Sequence, residues 1–528
     1  MRDFEVPGRS TVHAANGMAA TSHPLATGAA LDVLKEGGNA MDAAICAAAV
    51  QAVVEPQSTG IGGDVFALMC PKGTSEVIAY NGSGRSPAAA SVDWYREQGI
   101  DEIKQHTPHS VTVPGAIDAW CTLNRDHGKL PLDRLLAPAI HYAAEGYAVH
   151  ARVRYDWLKA VETVSWDADA RAVFMPGGKV PEEGQIHIQS KLAETLKIIA
   201  EKGRAGFYEG PVAEAMAAKL RSLGGLHTVE DFAAAEGDYV TPITTDYRGY
   251  TIHQIPPSNQ GVTALIMLNI LEGFDLTQYD PLSAERTHLE MEAGRIAFAV
   301  RDSAISDPRA LKVSPEQLVS KDWAADLRAN ISLERAMPDI PDLGLKTSDT
   351  VYISIVDKDL NAVSFINSVY HSFGSGILCP QTGVHFQNRG ESFRIDPDHP
   401  NRIGPRKRPL HTIMPGMLTR GTEAVSPYGV MGGDYQPFGH SRVLTNVIDY
   451  GLDPQAAISM PRVFATGDLV NIEKTFPAET YEGLKARGHV LNFASSPLGG
   501  GQMIIIDREK GVLSAGSEHR KDGCALGF

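Results

Sequence analysis

The sequence predicts a layered α+β protein. Three observations lead there: an alanine-rich helical pair near the start, a long middle of helical pattern, and a last third of β-branched segments punctuated by glycine. From His23 to Glu55 the pattern reads helix, a Gly37-Gly38 stop, an Asn39 cap and a second helix rich in alanine, hence a tightly packed pair. That helix runs into Gly60-Ile61-Gly62-Gly63, which has no Lys-Ser/Thr after it and no suitable strand before it. It is read as close backbone packing rather than a phosphate cradle. Strands are expected at Val65 to Cys70 and Glu76 to Tyr80, followed by a loop, Asn81 to Pro87, that sets Arg85 among residues too small to hide it. Pro131 to Gly273 reads mostly as helices, with Tyr247-Arg248-Gly249-Tyr250 and Pro256-Pro257 marking short strands and turns. A further helical block spans Ser283 to Asp302, and Leu311 to Lys346 is only loosely patterned. Thr350 to Val356 and Ala362 to Asn367 then alternate as strands around a turn at Asp357 to Asn361. Helices therefore dominate before Thr350 and strands after it.

The chain of 528 residues, 43% hydrophobic and 21% charged, is ordinary globular material long enough for a large core. A net charge of −15 argues against a nucleic-acid or anionic-membrane partner, and the one basic cluster, Arg402 to Arg408, is short. The first residues lack an apolar signal segment, and no stretch reaches the ~18 uninterrupted apolar residues of a membrane span. Five scattered cysteines without a CxxC pair suit reduced thiols, so a cytoplasmic protein is expected. Eighteen histidines show no HExxH or similar spacing, so neither a metal nor another cofactor is expected.

The segment Thr347 to Asp357 concentrates the chemistry: a hydroxyl-rich loop runs directly into a β-branched strand. A hairpin entry with loop hydroxyls accounts for it simply. The alternative is a released chain start. A threonine at a chain start can use its own α-amine, whose ordinary pKa near ~7.7–8 suits it to accept the hydroxyl proton.

Other segments decide between these readings. Gly37 to Ala44, Val54 to Gly63, Val113-Pro114-Gly115, His127 to Pro131, Phe207 to Gly210, Tyr247 to Tyr250, Lys407 to Leu410 and Met431-Gly432-Gly433-Asp434 occur in an order and spacing that resembles the γ-glutamyltranspeptidase family of N-terminal nucleophile hydrolases over nearly the whole chain. The resemblance implies a four-layer αββα sandwich and self-cleavage between Asp349 and Thr350. That would give a large fragment, 1–349, and a small one, 350–528, intertwined as a heterodimer that can pair further into a dimer of heterodimers. Thr350 becomes the nucleophile, with Thr347 and Ser348 as rival cleavage positions just upstream. Ser368 falls where the family orients the nucleophile, Gly432 and Gly433 where backbone N–H groups receive the oxyanion, and Arg85 where a guanidinium grips the donor carboxylate.

The chain departs from the family where a γ-glutamyl donor is recognised. The acid that holds the donor's α-ammonium corresponds to Ser392, and its neighbour on that loop to Arg389, which repels an ammonium. Tyr370 and His411, followed by Thr412, stand where the family has an asparagine and paired serines, so the cavity shrinks, while the shortened stretch between Phe393 and Lys407 opens its mouth. A small amide with a carboxylate and no α-amine fits these changes. The resemblance is to the oxamate amidohydrolase branch: oxamate is cleaved to oxalate and ammonia, an activity that would serve nitrogen recovery from purines or allantoin. Alternatives are a γ-glutamyl hydrolase or transpeptidase, a glutaryl-type acylase, and an uncleaved, non-catalytic carboxylate-binding homologue.

Overall fold

A computed structural model describes residues 5, 8–338 and 350–528. Two seven-stranded sheets, antiparallel throughout, form its centre. One runs in the order Cys524–Gly527, Met18–Thr21, Val351–Val356, Ala362–Ser368, Asp64–Cys70, Ile78–Gly82, Asp238–Val240. The other runs Val12–Ala14, Val512–Ser517, Gly500–Asp507, Glu423–Met431, Gly416–Arg420, Tyr250–Gln254, Ile243–Tyr247.

Strand periodicity explains the layering. Along Val351–Val356, Tyr352 and Val356 enter a core shared with Phe66, Ile366, Met417, Met431 and Ile504, which lies between the sheets. Ile353 and Ile355 point the other way, into a core with Ala43, Ala47, Val50 and Trp120 from helices. The second sheet is covered likewise: Ile252, Leu418, Tyr428 and Val430 meet Leu265, Leu289 and Phe438 from the helices Gly261–Glu272, Ala284–Ala304 and Gln436–Ile448. The order is helix, sheet, sheet, helix, the expected αββα sandwich.

The early helical pair forms as read. Helix Pro24–Lys35 packs on helix Ala40–Val54, all of whose residues are buried, as expected for a helix without a polar face. Asn39 Oδ1 accepts the N–H groups of Met41 and Asp42, while Asp42 Oδ2 accepts that of Asn39 at 3.0 Å, a reciprocal cap. Packing also accounts for the glycines: a Cβ on Gly60 would lie 2.4 Å from the His385 ring, on Gly62 2.0 Å from the His385 carbonyl oxygen, and on Gly63 2.2 Å from that of Ser368. The Tyr247 to Tyr250 signal is a tight hairpin turn, with φ +51° at Arg248 and +82° at Gly249.

Helices before Thr350 and strands after it is too simple a division. Half the strands of the two sheets precede Thr350, and helices Gln436–Ile448, Pro454–Ser459 and Ala478–Ala486 follow it. The strands that escape the pattern are short, and Met18–Thr21 is buried on both faces, which removes alternation. Within Leu311 to Lys346, Ser314 and Ser320 cap short helices at Pro315–Leu318 and Lys321–Arg328. Among the described residues no helix is long and apolar enough to cross a membrane.

Candidate active site

Thr350 is the residue before the central strand Val351–Val356, and it is buried. The register pairs Val351 with Asn367, so Thr350 comes opposite Ser368, and the two hydroxyl oxygens lie 3.2 Å apart. Ser368 Oγ also accepts the N–H of Tyr370 at 2.9 Å, which fixes the hydroxyl that faces the threonine. Tyr370 sits at φ +81°, a conformation a side chain adopts only under strain of about 1–3 kcal/mol. Asp349, Thr347 and Ser348 lie outside the described residues.

Gly432 and Gly433 end the strand Glu423–Met431 and open the turn Gly433–Tyr435 that feeds helix Gln436–Ile448. The first N–H groups of such a turn have no partner inside it and carry the positive end of the following helix. Both glycines have positive φ, +129° and +61°, and a Cβ on Gly432 would meet Gly499 Cα at 2.9 Å, so side chains are excluded there. Two residues that sequence reasoning did not single out hold the turn. Gln260 Nε2 donates to the carbonyls of Gly433 at 3.0 Å and Thr412 at 2.6 Å, and Arg301 Nη1 bonds both Gln260 Oε1 and Asp434.

The remaining site residues separate into two environments. Arg389 is fully buried and donates from Nη1 to Thr412 Oγ1 at 2.7 Å, and its guanidinium lies 4.0 Å over the Tyr370 ring. Its Nε and Nη2 are buried without a hydrogen-bond partner. Burial pulls its pKa down to about 10, against the opposing effect of Tyr370 and of Asp64, Asp434 and Glu391 nearby. Ser392 supplies no negative charge; its Oγ lies 2.9 Å from the carbonyls of Arg389 and Leu410.

Arg85 differs. Its side chain is 29% exposed and bonds Asp238 at 3.2 Å, a carboxylate that also receives Arg408. His411 was expected as a pocket-lining residue, but both of its ring nitrogens are engaged: Nε2 bonds Asp64 at 3.0 Å and Nδ1 accepts the N–H of Ile413. Burial and the nearby Arg389 pull its pKa down to about 3, so it is a neutral strut. Asp64, the third residue missed, ties the site together by accepting from Gly84 N, Gly115 N and Gln387 Nε2 within 3.1 Å. Its one sequence signal is an acid directly after Gly62-Gly63.

With this geometry in view, the chain can be set beside known proteins. The Gamma-glutamyltranspeptidase family profile matches residues 26–528. The chain belongs to this family. A glutathione hydrolase-like proenzyme of Bacillus subtilis is 38% identical over 97% of this chain and 98% of its own. An oxamate amidohydrolase proenzyme of Klebsiella pneumoniae is 34% identical over the same shares. Among solved structures, a cephalosporin acylase from Bacillus halodurans superposes with a TM-score of 0.93 at 40% identity, covering 100% of this chain and 99% of that one. The γ-glutamyltranspeptidase family thus includes hydrolases of different amides built on this frame.

One group of metal-ligand type was invisible in the sequence because its members come from distant positions: His288, Glu292 and His489. His288 Nε2 donates to the Ser332 carbonyl at 2.7 Å, which leaves Nδ1 to accept from His489 Nε2, also at 2.7 Å. Glu292 accepts from Arg295 and from Met337 N, both at 2.8 Å, so the three satisfy one another and their neighbours without an ion.

Proposed function

We propose that the protein is a self-processing amidohydrolase for the amide of a small carboxylate, with oxamate as the minimal substrate. The Thr350 hydroxyl attacks the Asp349 carbonyl, an N-to-O shift gives an ester, and hydrolysis frees the Thr350 amine as the start of fragment 350–528. In the processed enzyme the same hydroxyl attacks the substrate amide while the amine takes its proton. The N–H groups of Gly432 and Gly433 receive the oxyanion, and Ser368 orients the nucleophile. The C–N bond then breaks, the amine returns its proton to the leaving nitrogen, and water hydrolyses the acyl-threonine ester.

The observation that carries the substrate assignment is Arg389: a buried guanidinium with two donors unpartnered, while the acid on its own turn, Glu391, bonds Asn388 and lies beside His371. A substrate carboxylate would satisfy both donors with paired, charge-assisted bonds. In this reading the anchoring role passes from Arg85, which bonds Asp238, to Arg389, with Tyr370 and Thr412 as its supports. A γ-glutamyl donor brings an ammonium that meets a cation where an acid is needed. The unpaired cysteines suit the reducing cytoplasm.

Intact mass and N-terminal sequence of the purified protein, followed by ammonia release from oxamate, glutamine and a glutaryl amide, test the reading. Two fragments, the smaller beginning at Thr350, with oxamate preferred, are expected. Preference for glutamine overturns the Arg389 argument; preference for the glutaryl amide lengthens the acyl chain towards the acylase relatives. A single inactive chain overturns the enzyme.

A further inference from the structure

One amide group joins the two halves of the site. Gln260 stands at the foot of helix Gly261–Glu272 and is fully buried. Its Nε2 donates to the Thr412 carbonyl at 2.6 Å and to the Gly433 carbonyl at 3.0 Å, and its Oε1 accepts from Arg301 Nη1 at 2.8 Å. Two carbonyls at one end and a guanidinium at the other fix which end of the amide is which and use both of its hydrogens. Thr412 is the residue whose hydroxyl receives Arg389, and Gly433 is the second glycine of the oxyanion turn. A single nitrogen therefore spans the anchor proposed for the substrate carboxylate and the turn proposed for its reacting carbonyl.

The amide has little freedom to yield. Gln260 N donates to the His411 carbonyl and His411 N to the Ser258 carbonyl, each at 2.9 Å, so the backbone around Gln260 is bonded along the segment that carries Thr412. On the other side stands Arg301, in the last turn of helix Ala284–Ala304. It bonds Asp302 through Nε and Asp434 through Nη1, both at 2.6 Å, and Asp434 follows Gly433 directly. One residue after the turn Gly433–Tyr435, Gln436 Oε1 accepts Met414 N at 2.9 Å. That second link between the same segments does not pass through Gln260 and would still join them in its absence.

We infer that Gln260 is a positioning residue that sets which acyl length the enzyme accepts. The inference deepens the proposed function and rests on the roles given there to Arg389, Gly432 and Gly433. In a small carboxylate amide, the carboxylate and the reacting carbonyl are separated by a run of bonds, and the shorter the run, the less rotation is left to absorb a mismatch. Oxamate is the extreme, since its two carbons are bonded directly and both ends must be met at one span. An anchor and an oxyanion turn clamped by one amide suit that demand, because a small misplacement of either lowers the rate steeply. Gln260 acts through Thr412 and Gly433, and no bond is made or broken on it.

The test varies acyl length at constant charge. Processed wild-type enzyme is assayed with oxamate, malonamate, succinamate and glutaramate, each one methylene longer than the last, and with the uncharged diamide of each. Across the acids kcat/KM is expected to spread by about ten-fold or more, with one clear optimum. Gln260→Met keeps the side chain's length and neutrality but cannot donate, and the amide of Gln260→Asn falls short. In both, the spread should shrink to a few-fold or the optimum should move to another length. Because only the profile is read, a variant that is merely damaged lowers every rate and leaves it intact. The wild-type profile kept in both variants, or a spread of only a few-fold in wild type, overturns the inference. Diamides turned over by wild type as well as the acids would instead overturn the Arg389 reading, and the inference with it. The melting-temperature shifts given by the product diacids, oxalate to glutarate, make the same comparison without turnover: shifts of the same size and ranking in wild type and both variants also overturn the inference.

Discussion

Arg462 and Arg389 are both fully buried guanidiniums, yet their surroundings are opposite. Arg462 bonds Glu518 at 2.6 Å and the carbonyls of Leu498 and Ile458. Glu518 also takes Arg520, which in turn bonds Glu473. Although burial raises the pKa of Glu518, Arg462 and Arg520 hold its carboxyl well below the usual range. Arg389 has one neutral hydroxyl and an aromatic face. The first arrangement is complete within the folded chain. In the proposed function a substrate carboxylate completes the second, since a fold keeps a buried charge short of a counter-charge at a cost in stability. On that reading, a buried cation left unanswered among the described residues is the place to look for a ligand.

The comparison can be broken or sharpened experimentally. The largest effect is expected at Thr350. Thr350→Ala should remain one chain on a denaturing gel and lose at least ~10³-fold in amide hydrolysis, since both steps use the same hydroxyl. Two fragments in this variant would place the cut elsewhere. Arg389→Leu should lower kcat/KM by about 10²–10³, the loss of two charge-assisted bonds, while its melting temperature stays at or above that of wild type. A marked fall in melting temperature would show that Arg389 is structural and remove the contrast. Glu518→Gln should do the reverse, destabilising by ~3–5 kcal/mol in denaturant titration because it leaves Arg462 and Arg520 short of a counter-charge, with kcat/KM altered only a few-fold.

The smallest effect concerns Glu55, a buried carboxyl with only hydroxyl and amide donors, Ser22 at 2.7 Å and Gln51 at 2.9 Å. Burial raises its pKa from 4.5 to about 7, against the lowering effect of the Ser22 bond. Between those values the folded chain holds a proton that the unfolded chain has released, so stability falls as pH rises through this window and levels off above about 7. Glu55→Gln should remove that slope. Urea titrations at pH 5 and pH 8 should show the variant gaining on wild type only at the higher pH, and a parallel pH response in the two proteins would mean that Glu55 does not carry the effect.

Much of this was legible in the sequence. The capped alanine-rich helix and the central hairpin from Val351 to Ser368 announce themselves through local periodicity and caps, whereas the αββα order follows only from the family resemblance. The residues that support the site do not. Asp64, Gln260 and Arg301 reach it from three separate elements, and their importance lies in contacts across 133 to 347 residues of chain. Arg85 and Arg389 look equally available as letters. Only packing shows that Asp238, far along the chain, takes one of them and that among the described residues no acid is paired with the other.

The strand order has a consequence for how such a protein could ever come apart. In the first sheet, Val351–Val356 is flanked by Met18–Thr21 on one side and Ala362–Ser368 on the other, and Ala362–Ser368 is followed by Asp64–Cys70, so the strands from after residue 350 are wedged between strands from before it. Opening the chain at Thr350 would create a new terminus without creating a removable part. Neither piece owns a whole sheet, and the two would share a single melting event. A gene split at this point would have to fold its products together in one act, because neither half has a sheet to fold around alone.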